Sequence, residues 1–260
     1  MKKTLIALVL ATTSVSGSAM ADGGTMQLGG MLTPHVTPVG WQVSVGKNKL
    51  DLNADVHPGD TEVNIPVRSP ISVLGIGLKT KTLFYGQDGI SPQIDYHGAI
   101  ALSGFKNSEV PLSLKVMDST GSEIGTLSAP LLAGSEISYT TVLHAIPPQL
   151  VSGRFGVIAN KKGDAFFGGL PSSKGGASSD VVARISAINP DFTANYDTQG
   201  AELSPEGFDV DTLKNHKYRY SAFYGSGIEA GKSVSIKLYK PMDADSLKWT
   251  ASLPITVTYI

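Results

Sequence analysis

Apolar side chains recur at every second residue through much of this chain. Trp41-x-Val43-x-Val45, Val63-x-Ile65-x-Val67, Leu112-x-Leu114-x-Val116 and Val234-x-Ile236-x-Leu238 are examples. Each places its apolar residues on one side of an extended backbone. Turn-forming clusters punctuate the runs, among them His57-Pro58-Gly59-Asp60, Gly86-Gln87-Asp88-Gly89 and Asp118-Ser119-Thr120-Gly121. Short alternating strands divided in this way predict an all-β fold, either a β-sandwich or a barrel. No stretch shows the i, i+3, i+4 spacing of a long surface helix.

The 260 residues include no cysteine, so neither a disulfide framework nor a Cys-ligated metal site is open to the chain. Apolar residues make up 41% and charged residues 17%, a balance too hydrophobic for a disordered protein. With 21 Lys+Arg against 22 Asp+Glu there is no general excess of positive charge to displace counterions from phosphates, which argues against nucleic-acid binding. The length fits one large domain or two small ones.

The two ends carry the most information. Lys2 and Lys3 precede an apolar run from Leu5 to Leu10, and small and polar residues lead to Ala19-Met20-Ala21. This order predicts a secretory signal peptide over residues 1–21, cleaved after Ala21. The apolar run is far shorter than the ~20 residues that cross a bilayer. A two-lysine start of this kind points to a bacterial periplasm or beyond, an oxidising compartment in which the chain nonetheless uses no disulfide.

After the cleavage point, Met26, Leu28, Gly30 and Leu32 alternate on one side of a segment that glycines flank and interrupt. Glycine weakens a strand that must hold by itself. Two readings follow from the pattern: an ordinary first strand, or an extension that adds to the sheet edge of another molecule, as in donor-strand complementation. At the other end, Trp249 to Ile260 predicts a terminal strand with Trp249, Ala251, Leu253, Ile255, Val257 and Tyr259 on one face. Pro254 cannot donate to a ladder, so that strand is expected to have a partly unpaired edge.

Between roughly 160 and 215 the alternation fades, and Gly, Ser, Asp and Pro accumulate. The run Ser172-Ser173-Lys174-Gly175-Gly176-Ala177-Ser178-Ser179 reads as loop. Ser179-Asp180 before Val181-Val182-Ala183-Arg184-Ile185 predicts one or two capped helical turns, and Ser204-Pro205-Glu206 a second capped turn. The sandwich is therefore expected to carry a loop and short-helix insertion long enough to suggest a role.

Four ordered blocks resemble a known family. They are Gly24-Thr25-Met26-Gln27-Leu28-Gly29-Gly30-Met31-Leu32-Thr33 followed by Trp41-x-Val43-x-Val45-Gly46, the signal segment Met1 to Leu8, Tyr220-Ser221-Ala222-Phe223-Tyr224-Gly225-Ser226-Gly227 with Ala230-Gly231, and the terminal strand with Tyr259. Together they are similar to the chaperone–usher fimbrial subunits (pilins) of enterotoxigenic Escherichia coli, the cysteine-free major subunits and adhesins and their minor-subunit relatives. The resemblance implies an incomplete immunoglobulin-like sandwich over residues 35–260 and a donor-strand extension over 22–34. It implies that Met26, Leu28, Gly30 and Leu32 enter the groove of a neighbouring subunit, with Gly30 at a shallow pocket. Ile255, Val257 and Tyr259 would lie in the strand that a periplasmic chaperone and then the next subunit pair with. An outer-membrane usher and neighbouring subunits complete the implied partners, and the destination is a fimbrium on the cell surface. The chain departs from many pilins at Leu247, where they carry a glycine. It is shorter than the adhesive major subunits, which favours a minor structural subunit.

Sites for chemistry are not evident. His35, His57, His97, His144 and His216 are scattered away from any metal-ligand spacing, and no GxSxG elbow is present. Gly225-Ser226-Gly227 reads as a turn between strands, and Gly75-Ile76-Gly77 as strand glycine. Asp209 with Asp211 reads as a pair of solvated turn carboxylates. No cofactor, no metal and no enzymatic activity are expected. The alternative is a carbohydrate-binding adhesin of the same assembly, with Phe166, Phe167, Phe192 and Tyr196 of the insertion as candidate receptor contacts for a host glycan. A periplasmic β-sandwich enzyme is the remaining alternative.

Overall fold

The computed structural model describes residues 25–26, 39–46, 50–243 and 247–260. The predicted signal peptide, and Leu28, Gly30 and Leu32 of the predicted extension, lie outside the described residues. The first strands are β1 (Thr25–Met26), β2 (Trp41–Val45), β3 (Leu50–Asp51), β4 (Glu62–Pro66), β5 (Ile71–Leu78), β6 (Phe84–Tyr85) and β7 (Pro92–Asp95). Then come β8 (Glu109–Asp118), β9 (Glu123–Leu143), β10 (Gln149–Val157) and the helix α1 (Val181–Ile188). The chain finishes with β11 (Leu203–Asp209), β12 (Arg219–Ile228), β13 (Ser233–Leu238), β14 (Trp249–Ala251) and β15 (Thr256–Tyr259).

The fold is an all-β sandwich, as the alternation predicts, and β9 is shared by both layers. Its first half pairs with β8 and β13, and β13 carries β4 while β8 carries β14. Its second half joins a layer in the order β11-β10-β9-β12-β5-β2. The side chains explain the change of role. In the first half Leu127, Ala129 and Leu131 are buried and Ser128 is exposed, the pattern of a sheet with one wet face. From Leu131 to Ser138 every residue is buried, because α1 covers the outer face there.

Helix α1 starts where Ser179-Asp180 predicts, although no side chain caps its first amides. It turns Val181, Ile185 and Ile188 onto the sheet at i, i+4 and i+7 spacing. The sheet receives it on glycine. A Cβ on Gly134 would lie 2.0 Å from Val181 Cγ2, one on Gly225 2.3 Å from Ile185 Cγ2, and one on Gly75 2.2 Å from the Phe192 ring. Such close approach corrects one expectation: Gly225-Ser226-Gly227 is not a turn but the interior of β12, left without side chains so that a helix can lie flat on it. Arg184, on the helix's other flank, bonds the Glu229 carboxylate at 2.6 and 2.9 Å. That bond holds the Glu229 carboxyl below its usual range.

Two further expectations are corrected. Ser204-Pro205-Glu206 lies in β11, an edge strand parallel to β10, not in a capped helical turn. The register jumps from Arg154↔Leu203 to Gly156↔Phe208, so residues 204–207 bulge outward, and an edge bulge is where a strand tolerates proline. The terminal strand is broken in two: β14 pairs with β8 and β15 with β7, and the break spans residues 252–255 around Pro254.

The start of the insertion is core rather than ornament. Ala165, Phe166 and Leu170 are fully buried with the main cluster. Phe166 stacks on Tyr224 at 5.7 Å and meets Trp41 edge-on at 6.0 Å.

Candidate strand-addition edge

The three C-terminal residues predicted to line a docking groove, Ile255, Val257 and Tyr259, fall on or beside β15. Ile255 and Val257 are buried and Tyr259 is half-buried. Burial pushes the Tyr259 phenol above its ordinary range. The buried row continues backwards through Leu253, Ala251 and Trp249, so the predicted apolar face is intact across the break at Pro254.

Strand β15 has one strand partner among the described residues. It runs antiparallel to β7 with Thr256↔Asp95, Val257↔Ile94, Thr258↔Gln93 and Tyr259↔Pro92. The Ile260 N–H donates to the Ser91 carbonyl and the Ser91 N–H to the Ile260 carbonyl, both at 3.2 Å. Antiparallel bonding alternates, so Thr258 and Thr256 share that inward orientation. Val257 and Tyr259 therefore turn their N–H and C=O groups away from β7. On that side β15 has no strand partner among the described residues.

The far edge of β7 is taken. The Phe166 N–H donates to the Pro92 carbonyl at 2.7 Å, and the Ile94 N–H donates to the Phe167 carbonyl at 2.8 Å. The insertion thus straps β7 on one side, and only the β15 side of the pair can accept a further strand. Gln93 locks the strap in place, donating through Nε2 to the Asp164 carbonyl at 3.0 Å and accepting from the Gly163 N–H at 3.0 Å. A glutamine inside a sheet gives no apolar pattern, so this part of the site carries no signal in the sequence. His97, in the left-handed region with φ 50, braces the near end through Nε2 to Thr256 Oγ1 at 2.8 Å.

Met26 lies in β1, which runs antiparallel to β3 with Met26↔Leu50 and approaches β14. The backbone of the predicted extension is thus paired with a strand where it is described.

The four candidate receptor aromatics are not brought together. Phe166 is in the main core, and Phe192 is buried beneath the helical region on the opposite side of the sheet. Tyr196 packs edge-on to Phe223 at 5.1 Å in that second cluster. Its hydroxyl is buried with no hydrogen-bond partner among the described residues, and burial, together with the nearby Glu136 carboxylate, pushes its pKa well above the usual phenol value. Phe167 is half-buried and lines a cleft of about 450 Å³ with Lys162, Thr256 and Thr258, beside the β15 edge. Asp211, expected as a solvated turn carboxylate, is instead largely enclosed. It accepts from the Leu213 N–H at 2.5 Å and the Tyr220 hydroxyl at 3.3 Å, and burial raises its pKa.

Fold and edge together define a β-sandwich protein in which the outer edge of β15 has no strand partner among the described residues and lies over a buried apolar row. The family model described as "Fimbrial, major and minor subunit" matches residues 1–260, the whole chain, and the chain belongs to that family of fimbrial subunits. This is a family of structural subunits, not of enzymes. The chain is similar to K88 fimbrial protein AC of Escherichia coli, 26% identical over 298 aligned positions covering all of both chains. It is also similar to K88 fimbrial protein AB, at 26% over 300 positions, and to K88 fimbrial protein AD, at 25% over 299, again with full coverage. Those alignments are longer than the 260 residues of this chain, so the relatives carry segments that it lacks.

Proposed function

We propose that the chain is a structural, minor-type subunit of a surface fimbrium, polymerised by donor-strand complementation after export through the periplasm. In this reading residues 35–260 form an immunoglobulin-like sandwich that lacks one strand, and residues 22–34 form the extension that supplies it to a neighbour. Met26, Leu28, Gly30 and Leu32 enter the acceptor edge, where they meet Ile255, Val257 and Tyr259. A periplasmic chaperone holds the same edge before assembly, and an outer-membrane usher orders the exchange. The carrying observation is the outer edge of β15, where Val257 and Tyr259 offer their backbone groups to a strand while the row beneath them is apolar and buried. Main-chain bonds of this kind supply affinity, and pockets for alternate side chains supply register.

A pair of proline substitutions tests the reading. The Tyr259 N–H faces the open side, so Tyr259→Pro leaves the β7 ladder intact, and an edge strand tolerates it. The Thr258 N–H faces β7, so Thr258→Pro breaks that ladder. Compared as unassembled chains, Tyr259→Pro is expected to melt near the parent and yet to be absent from assembled fibres. Thr258→Pro is expected to fail to fold. Incorporation of Tyr259→Pro at the parental level refutes the proposal.

A further inference from the structure

Exposed apolar surface is concentrated on and beside the β9–β10 hairpin. Eight large hydrophobic side chains stand exposed among the described residues, and five of them, Tyr85, Val142, Leu143, Ile146 and Leu150, belong to or border the β9–β10 hairpin. Ile146, at the tip, is fully exposed. Ala145, Pro147 and Pro148 beside it are exposed as well, so the tip presents almost continuous aliphatic surface. Soluble chains seldom leave such surface uncovered without a use for it.

The cleft beside the tip carries two cations, Lys217 and Arg219, against one carboxylate. Between Glu136 and Asp164 the sequence has no acidic residue, whereas the chain as a whole is nearly balanced. Tyr85, Val142 and Leu150 line a cleft of about 600 Å³ together with His144, Lys217 and Arg219. The Arg219 guanidinium lies 5.9 Å from the Tyr85 ring centroid. Asp197 is the one carboxylate in the lining, and its Oδ1 accepts from the Gln199 N–H at 2.8 Å.

We propose that the hairpin tip, residues 142–150, inserts into a lipid surface carrying anionic headgroups, with Tyr85, Lys217 and Arg219 at headgroup level. A projecting aliphatic tip suits a deformable apolar medium better than a flat protein face. Basic side chains beside it meet phosphates, and a tyrosine with an apolar body and a polar end suits the boundary between them. The complementarity is of charge as well as polarity, and it holds whether or not β15 accepts a strand.

The test is co-sedimentation of the full chain with phosphatidylcholine vesicles, with and without about one-fifth phosphatidylglycerol. Binding is expected on the anionic vesicles, weaker on phosphatidylcholine alone and weaker in high salt. Ile146→Asp and Leu150→Asp, both at exposed positions, are each expected to weaken it by about tenfold or more. Lys217→Glu is expected to remove most of the preference for phosphatidylglycerol. Absence of binding to either vesicle overturns the proposal, as does binding that both aspartate variants leave unchanged. A chain that ignores vesicles but loses self-association in the aspartate variants uses the tip between copies, and that too overturns it.

Discussion

Tyr96 joins three hydroxyls that are shut off from solvent. Its oxygen lies 2.9 Å from the Tyr224 hydroxyl and 2.8 Å from Ser226 Oγ. Tyr224 and Ser226 donate in turn to the carbonyls of Gly169 and Leu74, each at 3.3 Å. Burial pushes the Tyr96 phenol from 10.0 up to about 12, against the opposing effect of its two hydrogen bonds. The unfolded chain releases that proton near pH 10 and the folded chain keeps it until about pH 12, so stability is fully present below pH 10 and is lost as pH rises between these values. Tyr96→Phe is expected to cost about 1 kcal/mol at neutral pH, because both neighbours keep a carbonyl partner. It is also expected to lessen the loss on the alkaline side by about 2–3 kcal/mol. Urea midpoints near about pH 9 and about pH 11.5 measure both effects, and equal alkaline slopes in parent and variant contradict them. At this scale the sequence is silent. Tyr96 follows a strand that ends in an exposed Asp95, and nothing in Gln93-Ile94-Asp95-Tyr96 marks which side chains turn inward. Asp211 makes the same point, since its enclosure depends on Tyr220 and Leu213 from the folded neighbourhood.

Helix α1 is held by shape more than by its own propensity. Eight residues are too few to be stable alone, and no side chain caps the start. Its place depends on the glycines beneath it, which let Val181, Ile185 and Ile188 approach the sheet backbone. Gly134→Ala puts a methyl group where Val181 Cγ2 now lies, and is expected to cost about 1–3 kcal/mol as the helix lifts. Amide exchange along α1 is expected to quicken more than exchange in β8, and Val181→Ala is expected to restore part of the loss. Unchanged exchange in α1 contradicts this account of the contact. The strands themselves were largely legible. Trp41 to Val45, the runs at 63–67 and 112–116, and Val234 to Leu238 all form strands because alternation reports one buried face directly. The errors cluster where a second element supplies the reason. Gly225 and Gly227 look like turn residues until a helix is placed over them, and Ser204-Pro205-Glu206 looks like a helix start until β10 recruits it as an edge. The split between β14 and β15 was not legible: Pro254 reads as an unpaired edge on one continuous strand, and the choice of β8 and β7 as separate partners depends on contacts far apart in the chain.

At the scale of the whole molecule, the C-terminal pair β7–β15 of a cysteine-free sandwich is covered on the β7 side and, among the described residues, has no strand on the β15 side. The insertion straps β7 through Phe166 and Phe167, while β15 keeps its outward backbone groups. The apolar row of the last strand and the membership of a fimbrial family could both be read from the two ends of the sequence. The strap could not, because it rests on a buried glutamine and on a phenylalanine at positive φ, which no periodicity reports. Its aromatics look like a surface platform in the sequence, yet Phe166 and Phe192 belong to the interior. The proposed function rests on the β15 edge accepting a strand supplied by the sequence of residues 22–34. The most direct measurement is the thermal melt of residues 34–260, made with and without a peptide covering 22–34. The account predicts a domain that is unstable alone and whose melting temperature rises steeply and saturably with peptide, since a ligand that binds only the folded state stabilises it by mass action. A domain that melts cooperatively at high temperature by itself and ignores the peptide contradicts it.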